Sequence, residues 1–433
     1  MTLTEAAYWT RRLSVLFVGG FGILILLFFL LLSINNSNVE SEILVPDYAC
    51  TDTATEFLEN KLSIPSLTLA SNSEQLIEID TPTGTLDDNI PLVANVYAYD
   101  DPGPSLTAQN QAKDIATKLG FDPELIRRRG IKEYYWIEDE FGRFLSVDSE
   151  TLNFKLQINY LNPNSLPAEI DLPTDADAMS IASSFIRSNG WQLEDYSNEE
   201  PTVTPINIEP DGTFSMAKSR GEAELLRVDF YRSKPFLTIL GNIQNAESIR
   251  DRLEREYQGY ETETTTVNTG QERVDVYNFK TEVVNLDTQK SNISVYVGTE
   301  YRRDRGGSIN PDIYDIEYTS WVIENDPCGK YPLLPVTTVA SIITNNQASL
   351  VYLNEKNGDT VVPYQPKQVD KMLVKQVRLA YLDTLEKQRF LQPIYIVIGE
   401  ASLDNGLSGR FYFYVPAIDY DNLRDKQVPI PTQ

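Results

Sequence analysis

The chain has 433 residues, of which 41% are hydrophobic and 23% are charged, enough apolar material for two or three packed domains. Because 63 Asp and Glu residues outnumber 37 Lys and Arg residues, the net charge is −26 and we expect no nucleic-acid partner. Histidine is absent from the sequence, and cysteine occurs only as Cys50 and Cys328. These counts exclude Ser-His-Asp and Cys-His nucleophilic sites, imidazole zinc sites and cysteine-held iron–sulfur clusters. We therefore expect no cofactor and no metal centre.

Residues 13–32 form an apolar run of twenty positions without a charge, long enough as a helix to span a membrane. Arg11 and Arg12 precede the run and acidic residues follow it, so the positive-inside rule places the N-terminus in the cytoplasm. A cleaved signal peptide is the alternative, but no small-x-small cleavage site follows the run. The sequence predicts a cytoplasmic tail over 1–12 and a transmembrane helix over 13–33. The protein would then be a single-pass cell-membrane protein with its bulk extracytoplasmic.

The next segment, 34–90, is rich in Ser, Thr, Asn, Asp and Glu, a composition typical of an extended extracytoplasmic stalk. Cys50 lies in this stalk, whereas Cys328 lies far along the chain. Two cysteines outside the cytoplasm can oxidise, so we expect a disulfide between them, with two unpaired thiols as the alternative.

Beyond the stalk, a helix followed by strands recurs three times. Apolar spacing and turn residues define the first unit, 91–168, with a helix predicted over 106–119 and strands over 133–137, 143–147 and 153–158. The second unit, 169–325, opens with a helix over 175–188 that Thr174 can cap. Its remaining predicted elements are strands over 203–208 and 225–230, a helix over 246–257, and strand-like alternation over 273–301.

The third unit, 326–420, combines a helix over 336–343 with strands over 374–382, 392–399 and 409–415, and a tail, 421–433, follows it. The short connections between these three strands favour an antiparallel meander. The predicted fold class is α+β: an N-terminal transmembrane helix followed by repeated helix-plus-antiparallel-sheet units.

The third unit carries a resemblance to a known family. Tyr331-Pro332 leads into its helix, and its strands contain Leu379-x-Tyr381, Leu391-x-Pro-x-Tyr395 and Tyr414-Val-Pro-Ala. This pattern resembles the C-terminal portion of PepSY/YycI-like proteins, extracytoplasmic regulators of bacterial envelopes. The resemblance implies a PepSY-like packing of helix on sheet and a non-catalytic sensor, inhibitor or regulatory domain.

Aromatic side chains supply the candidate contact residues. Two strands place large aromatic residues on both of their faces, and only one face of a strand needs to be core. Outward Tyr and Trp side chains are common anchors of protein interfaces. The candidates for partner binding are Tyr134, Trp136, Tyr412 and Tyr414. The alternative is that both faces of these strands are buried.

Charged clusters give two weaker indications. The basic clusters at 127–129 and 302–305 could meet an anionic polymer, a phospholipid surface or an acidic partner, or could make ordinary surface salt bridges. Carboxylate groups at 138–140, at 100–101 and at Asp312 with Asp315 could cleave a glycosidic bond if two of them faced each other across a cleft. Their turn-like surroundings favour solvated loops instead.

The sequence therefore predicts a membrane-anchored, extracytoplasmic binding and regulatory protein that acts by protein–protein contact and is not an enzyme. The expected partners are the membrane, through the N-terminal helix, and another envelope protein such as a sensor kinase or a wall enzyme. A homo-oligomer is also compatible with the sequence. The alternative functions are a carboxylate-dependent cell-wall glycan hydrolase and a structural component of envelope assembly.

Overall fold

The computed structural model describes residues 43–70, 76–86, 90–100, 103, 105–162, 171–191, 196, 199–269, 272–288, 290–299, 312–355, 366–403 and 406–426. The predicted tail 1–12, the predicted transmembrane helix over 13–33 and the basic cluster at 302–305 lie outside these residues. Within the described ranges, none of the helices combines the length and the apolar character needed to cross a membrane.

The described residues form five α-helices: α1 (Ala54–Leu58), α2 (Ala108–Lys118), α3 (Asp175–Ser188), α4 (Ala246–Glu256) and α5 (Val336–Thr344). The strands are β1 (Leu76–Ile79), β2 (Val93–Ala98), β3 (Arg127–Arg129), β4 (Glu133–Glu138), β5 (Arg143–Asp148), β6 (Phe154–Ile158), β7 (Thr202–Ile208), β8 (Phe214–Met216), β9 (Leu225–Phe230), β10 (Arg232–Leu240), β11 (Glu261–Thr269), β12 (Glu272–Val284), β13 (Ile293–Val297), β14 (Ile313–Tyr318), β15 (Gly329–Pro332), β16 (Ser349–Glu355), β17 (Val369–Leu382), β18 (Phe390–Leu403) and β19 (Ser408–Pro416).

Nine strands form an antiparallel sheet in the order β3-β4-β5-β6-β14-β13-β9-β7-β8. Helices α2 and α3 supply apolar stripes to the core cluster on one face of this sheet, and both stripes contain fully buried alanines. Helix α3 begins after Thr174, whose side-chain oxygen accepts a hydrogen bond from the Asp177 N–H. The small alanine side chains leave room for aromatic residues, so Trp136 and Phe185 fill the same core.

The second sheet has ten strands, and its main order is β10-β12-β17-β18-β19-β16. The last three long strands, β17, β18 and β19, form the predicted antiparallel meander. Strand β17 also pairs in parallel with β1 and with the end of β12, and β2 pairs with β15 and β18. Gly399 of β18 permits the close approach of β17, because a Cβ atom at this position would lie 2.3 Å from the Leu373 carbonyl oxygen.

Two compact units make up the chain. The larger consists of Asp47–Phe236 and Lys280–Gln433, and the nine-stranded sheet lies within it. Among the described residues, the smaller consists of 43–46 and Leu237–Phe279, and it contains α4, β11 and the first part of β12. In the smaller unit the ring of Tyr257 packs edge-on against Phe279, with the ring centroids 6.3 Å apart.

The predicted repetition of helix-plus-antiparallel-sheet units is wrong, because the protein is mostly β and consists mainly of two large sheets. Strand β6 comes from the first predicted unit, but it pairs with β14 from the second. Strand β2 likewise pairs with β15 and β18 from the third. These long-range pairings join the local helix-and-strand patterns into shared sheets. The N-terminal transmembrane helix and the single-pass membrane description also have no support among the described residues.

The described part of the predicted stalk packs against the C-terminal strands. Leu67 donates its backbone N–H to the Leu350 carbonyl at 2.7 Å, and the Ser349 hydroxyl donates to the Ile64 carbonyl at 2.8 Å. Leu62 belongs to a core cluster with residues of β17, β18 and β19. Its apolar side chain explains why this polar segment is held along the sheet.

Candidate functional site

The face of the nine-stranded sheet opposite α2 and α3 carries charged side chains. Successive side chains in a strand point to opposite faces, and the helix-covered face already holds Leu156, Ile316, Val295 and Val228. The alternate positions form one row across four neighbouring strands, because the register pairs Lys155 with Glu317, Glu317 with Ser294, and Ser294 with Asp229. We call the cleft on this face the charged-face pocket.

The charged-face pocket has a volume of about 430 Å³. Its lining consists of Lys155, Leu156, Gln157, Gly212, Thr213, Phe214, Arg227, Asp287, Lys290, Tyr296, Asp315 and Glu317. The turn between β7 and β8 reaches over the sheet here, and Phe214 stacks on Tyr296 with ring centroids 4.7 Å apart. This aromatic contact holds the turn in place and gives the pocket one apolar wall.

Glu317 lies between two lysines. Its carboxylate accepts from the Lys155 ammonium at 2.8 Å and also from the Lys290 ammonium. Burial alone would raise the pKa of Glu317, but Lys290 and Lys155 outweigh it and hold this pKa below its usual value. Glu317 is therefore ionised at neutral pH. We call Lys155, Glu317 and Lys290 the salt-bridge triad.

Asp315 is almost completely buried, two residues before Glu317 on the same strand. One of its carboxyl oxygens accepts from the Ile158 N–H at 2.8 Å, and the other accepts from the Tyr160 hydroxyl. Burial raises the pKa of Asp315 to about 7, although both hydrogen bonds favour the ionised form. Burial and the neighbouring Asp315 also raise the pKa of Tyr160 well above its usual value. This carboxyl group therefore titrates near neutral pH.

Arg227 forms a buried wall of the pocket with its neighbour Asp229. The Arg227 Nε–H donates to the Asp229 carboxylate at 2.7 Å, and the Ser294 hydroxyl donates to the same carboxylate at 2.6 Å. Burial opposes the charge of Arg227, but Asp229 more than compensates and raises the pKa of the guanidinium. Arg227 and Asp229 are thus held by each other and by Ser294 of the neighbouring strand. Among the described residues, no cluster of three or more His, Cys, Asp or Glu side chains could hold a metal ion.

The predicted aromatic contact residues lie mostly inside the protein. Trp136 is 1% exposed in the core beneath α2, and Tyr134 on the same side of β4 is buried beside it. Tyr414 is 1% exposed, and its hydroxyl donates to the Asn285 carbonyl at 3.0 Å. Both faces of this part of β19 are covered, so the expected outward face does not exist there. Tyr412 is partly exposed, and its ring stacks on Tyr352 at 5.0 Å.

The basic cluster beside Tyr134 is exposed. Arg127–Arg129 form β3, the strand at one end of the nine-stranded sheet, and all three arginines are exposed. The Arg128 guanidinium lies over the Tyr134 ring at 5.1 Å, and the Arg129 guanidinium lies over the Tyr135 ring at 5.4 Å. Glu133 pairs with Arg129 at 3.4 Å, whereas Arg127 has no ion-pair partner among the described residues. We call Arg127–Arg129 the arginine edge.

Cys50 and Cys328 form a disulfide, with Cα atoms 4.7 Å apart. The bond joins the segment before α1 to the segment before β15, and Tyr331 of β15 stacks against Phe57 of α1 at 4.2 Å. The disulfide and the aromatic contact therefore secure the same junction. Such a bond is typical of proteins in oxidising compartments.

Most residues of the charged-face pocket were not singled out by sequence reasoning. The sequence places Asp315 among the candidate carboxylates and, because Pro311 is near, favours a solvated turn there, whereas the residue lies buried within β14. The alternation Ile313-Tyr-Asp-Ile-Glu-Tyr318 was the available signal for that strand. The predicted strand over 153–158 also placed Lys155 opposite an apolar face. Neither pattern could show that the two strands are neighbours.

Comparison with known proteins adds little to this description. A scan against protein-family models finds no match, and a search of curated proteins finds none. A solved structure similar to the chain is that of an uncharacterized protein from Eubacterium rectale ATCC 33656. It is 9% identical over 90% of this chain and 98% of that chain, with a TM-score of 0.27, too low to carry an argument about fold or function. The resemblance of 331–418 to PepSY/YycI-like proteins stays a prediction.

Proposed function

We propose that this protein is a non-catalytic binding and regulatory protein of an oxidising, extracytoplasmic compartment, and that it acts by contact with another protein. The observation that carries the proposal is the arginine edge. It is an exposed basic strip on a protein whose net charge is −26. The disulfide supports the compartment, because such bonds persist where thiols are not kept reduced.

Charge complementarity defines the partner. Arg127 and Arg129 project from one face of β3 and Arg128 from the other, because successive side chains of a strand alternate. Guanidinium groups favour carboxylates, with which they make paired and charge-assisted hydrogen bonds. Glu133 offsets one of the three charges, and Arg127 is left unpaired among the described residues. An acidic segment of the partner protein therefore fits this edge. Ile131, which is 90% exposed in the turn after β3, adds an apolar contact beside it.

Photo-crosslinking of the full chain in its native host tests this proposal. A photoreactive amino acid at Ile131 should join the chain to one protein, within an acidic segment that mass spectrometry identifies. Replacing the arginine edge by Arg127→Gln, Arg128→Gln and Arg129→Gln should abolish that product. The matched control removes three exposed charges elsewhere on the chain through Arg187→Gln, Arg255→Gln and Arg424→Gln, and it should keep the product.

Two outcomes contradict the proposal. Equal loss in both triple variants would mean that overall charge matters and the arginine edge does not. Self-association of the β3 variant, or cross-linking to a second copy of the chain, would mean that the arginines protect an exposed strand from pairing.

A second candidate function, a glycan hydrolase, is favoured by the spacing of Asp315 and Glu317. Residues two apart on one strand place their carboxyl groups on one face at about 7 Å, within the range of inverting glycosidases. Burial gives Asp315 a pKa of about 7, and the two lysines keep Glu317 ionised. An acid and a base with separated pKa values are what this reaction needs.

The hydrolase candidate predicts release of reducing ends from bacterial wall glycan with inversion at the anomeric carbon. Asp315→Asn and Glu317→Gln should each abolish the reaction while a cooperative melting transition shows that the chain is still folded. Asp139→Asn, which changes an exposed carboxylate in the β4–β5 turn, should leave the rate unchanged. Release of reducing ends that survives in both pocket variants would exclude this candidate.

A further inference from the structure

The charged-face pocket has the size and support of a small-molecule site. Its volume of about 430 Å³ falls within the range of ligand-binding clefts, roughly 300–1,000 Å³. Lys155, Arg227, Asp315 and Glu317 come from the paired strands β6, β9 and β14, whereas Asp287 and Lys290 come from the segment before β13. Solvent reaches the pocket, because the Lys155 side chain is 43% exposed and Thr213 is exposed at the rim.

The hydrogen-bonding groups of the pocket favour a ligand that accepts hydrogen bonds. Both oxygens of Asp315 already accept hydrogen bonds, and both oxygens of Glu317 accept from lysines. Each lysine ammonium has three N–H donors, and Glu317 is the only described side chain that pairs with Lys155 or Lys290. The pocket therefore offers donors, while its main acceptors are engaged.

Charge limits the ligand to a single negative group. Lys155, Lys290 and Arg227 supply the positive charges, and Arg227 is offset by Asp229. Glu317 and the exposed Asp287 offset the two lysines. The sum is zero when Asp315 is protonated and −1 when it is ionised. A molecule with several negative charges would therefore be repelled by the pocket and by the acidic chain around it.

We infer that the charged-face pocket binds a small organic anion with one carboxylate or phosphate group on a polar, hydroxylated body. The anionic group is held by Lys155 and Lys290. The amide of Gln157 and the hydroxyl of Thr213 lie exposed at the rim, where they match the hydroxyl groups of the ligand. The site does not depend on the protein partner of the arginine edge.

Isothermal titration calorimetry on the full chain, in low-salt buffer, tests the inference. The probes are gluconate, inorganic phosphate and glucose. Gluconate should bind and glucose should not, whereas binding of phosphate without binding of gluconate would contradict the hydroxylated body inferred for the ligand. The triple variant Lys155→Gln, Lys290→Gln and Glu317→Gln removes the whole triad and leaves no carboxylate unpaired. It should weaken gluconate binding at least about tenfold, the loss expected for charge-assisted hydrogen bonds.

The control variant Lys371→Gln with Glu78→Gln removes a half-exposed ion pair of the other sheet and should bind gluconate like the parent chain. The melting temperature shows whether each variant is folded. Equal affinity for glucose and gluconate, unchanged affinity in a folded triad variant, or no binding of any probe would each overturn the inference.

Discussion

A buried ion pair between Arg232 and Asp383 should be among the most sensitive points of the fold. The guanidinium and the carboxylate are 2% and 3% exposed and bond to each other directly. Arg232 also donates to the Trp321 carbonyl at 3.0 Å, and the Tyr99 hydroxyl donates to Asp383 at 2.9 Å. Arg232 begins β10 and Asp383 directly follows β17, so distant parts of the chain meet at this pair.

The expected loss of unfolding free energy follows from the burial of this ion pair. Arg232→Met leaves the Asp383 carboxylate with the Tyr99 hydroxyl as its remaining side-chain partner among the described residues. Removing one partner of a buried pair costs about 3–5 kcal/mol, because the other charge stays out of water. Asp383→Asn should cost a similar amount. The double variant removes both charges, so its cost should fall short of the sum by about 2–3 kcal/mol.

Urea unfolding followed by tryptophan fluorescence, with the disulfide intact, measures these differences in the free energy of unfolding. Lys113→Met is the control, because Lys113 pairs with a 76% exposed Glu124 and should cost less than about 1 kcal/mol. Strict additivity of the two single variants, or a cost for Arg232→Met no larger than that of the control, would refute the reasoning.

Three further predictions concern single positions. Burial raises the pKa of Asp315 from 3.8 to about 7, so the folded state holds the proton more tightly than the unfolded state does. The stability of the parent chain relative to Asp315→Asn should therefore fall as the pH rises from about 4 to 7. Urea titrations should show a slope of at most about 1.4 kcal/mol per pH unit. A flat difference over that range would contradict the assignment. Gly399→Ala should cost about 3 kcal/mol or more of unfolding free energy, since its Cβ would lie 2.3 Å from the Leu373 carbonyl oxygen. Gly221→Ala is the control, because nothing lies within 4 Å of the Cβ it adds, and it should change the melting temperature little. Similar melting temperatures of the two variants would contradict this prediction. Thr174→Ala should cost about 1 kcal/mol of unfolding free energy, and Thr174→Asp should restore the N-cap; equal stability of all three chains would show that the cap contributes nothing.

Local sequence patterns predicted the elements well where the physical cause is local. Helix α3 runs over the predicted 175–188 because its cap and its apolar stripe are both encoded within it. Strand β9 occupies the predicted 225–230, and the C-terminal meander has the expected order. Short connections between neighbouring strands explain that success.

The exposure of side chains could not be predicted in the same way. Tyr414 alternates with Phe413, which should have placed one of them outside, but both are buried. The second face of β19 is covered by Leu62 from the predicted stalk and by the segment around Asn285, which accepts from the Tyr414 hydroxyl. These covering residues are far from β19 in the chain. Period-two alternation identifies two faces of a strand but cannot tell how many of them are covered.

The charged-face pocket shows the same limit for chemistry. Lys155 alternates with apolar residues of β6, and Glu317 does so in β14, which taken alone indicates a solvent-facing side of each strand. The antiparallel pairing of β6 with β14 converts two surface charges into a bonded pair, and Lys290, from the segment before β13, completes the triad. The β7–β8 turn then closes one side with Phe214. The chemical identity of this site therefore arises from sheet order, because the charges come from separate parts of the chain and only the pairing of β6, β14, β13 and β9 brings them together in one pocket.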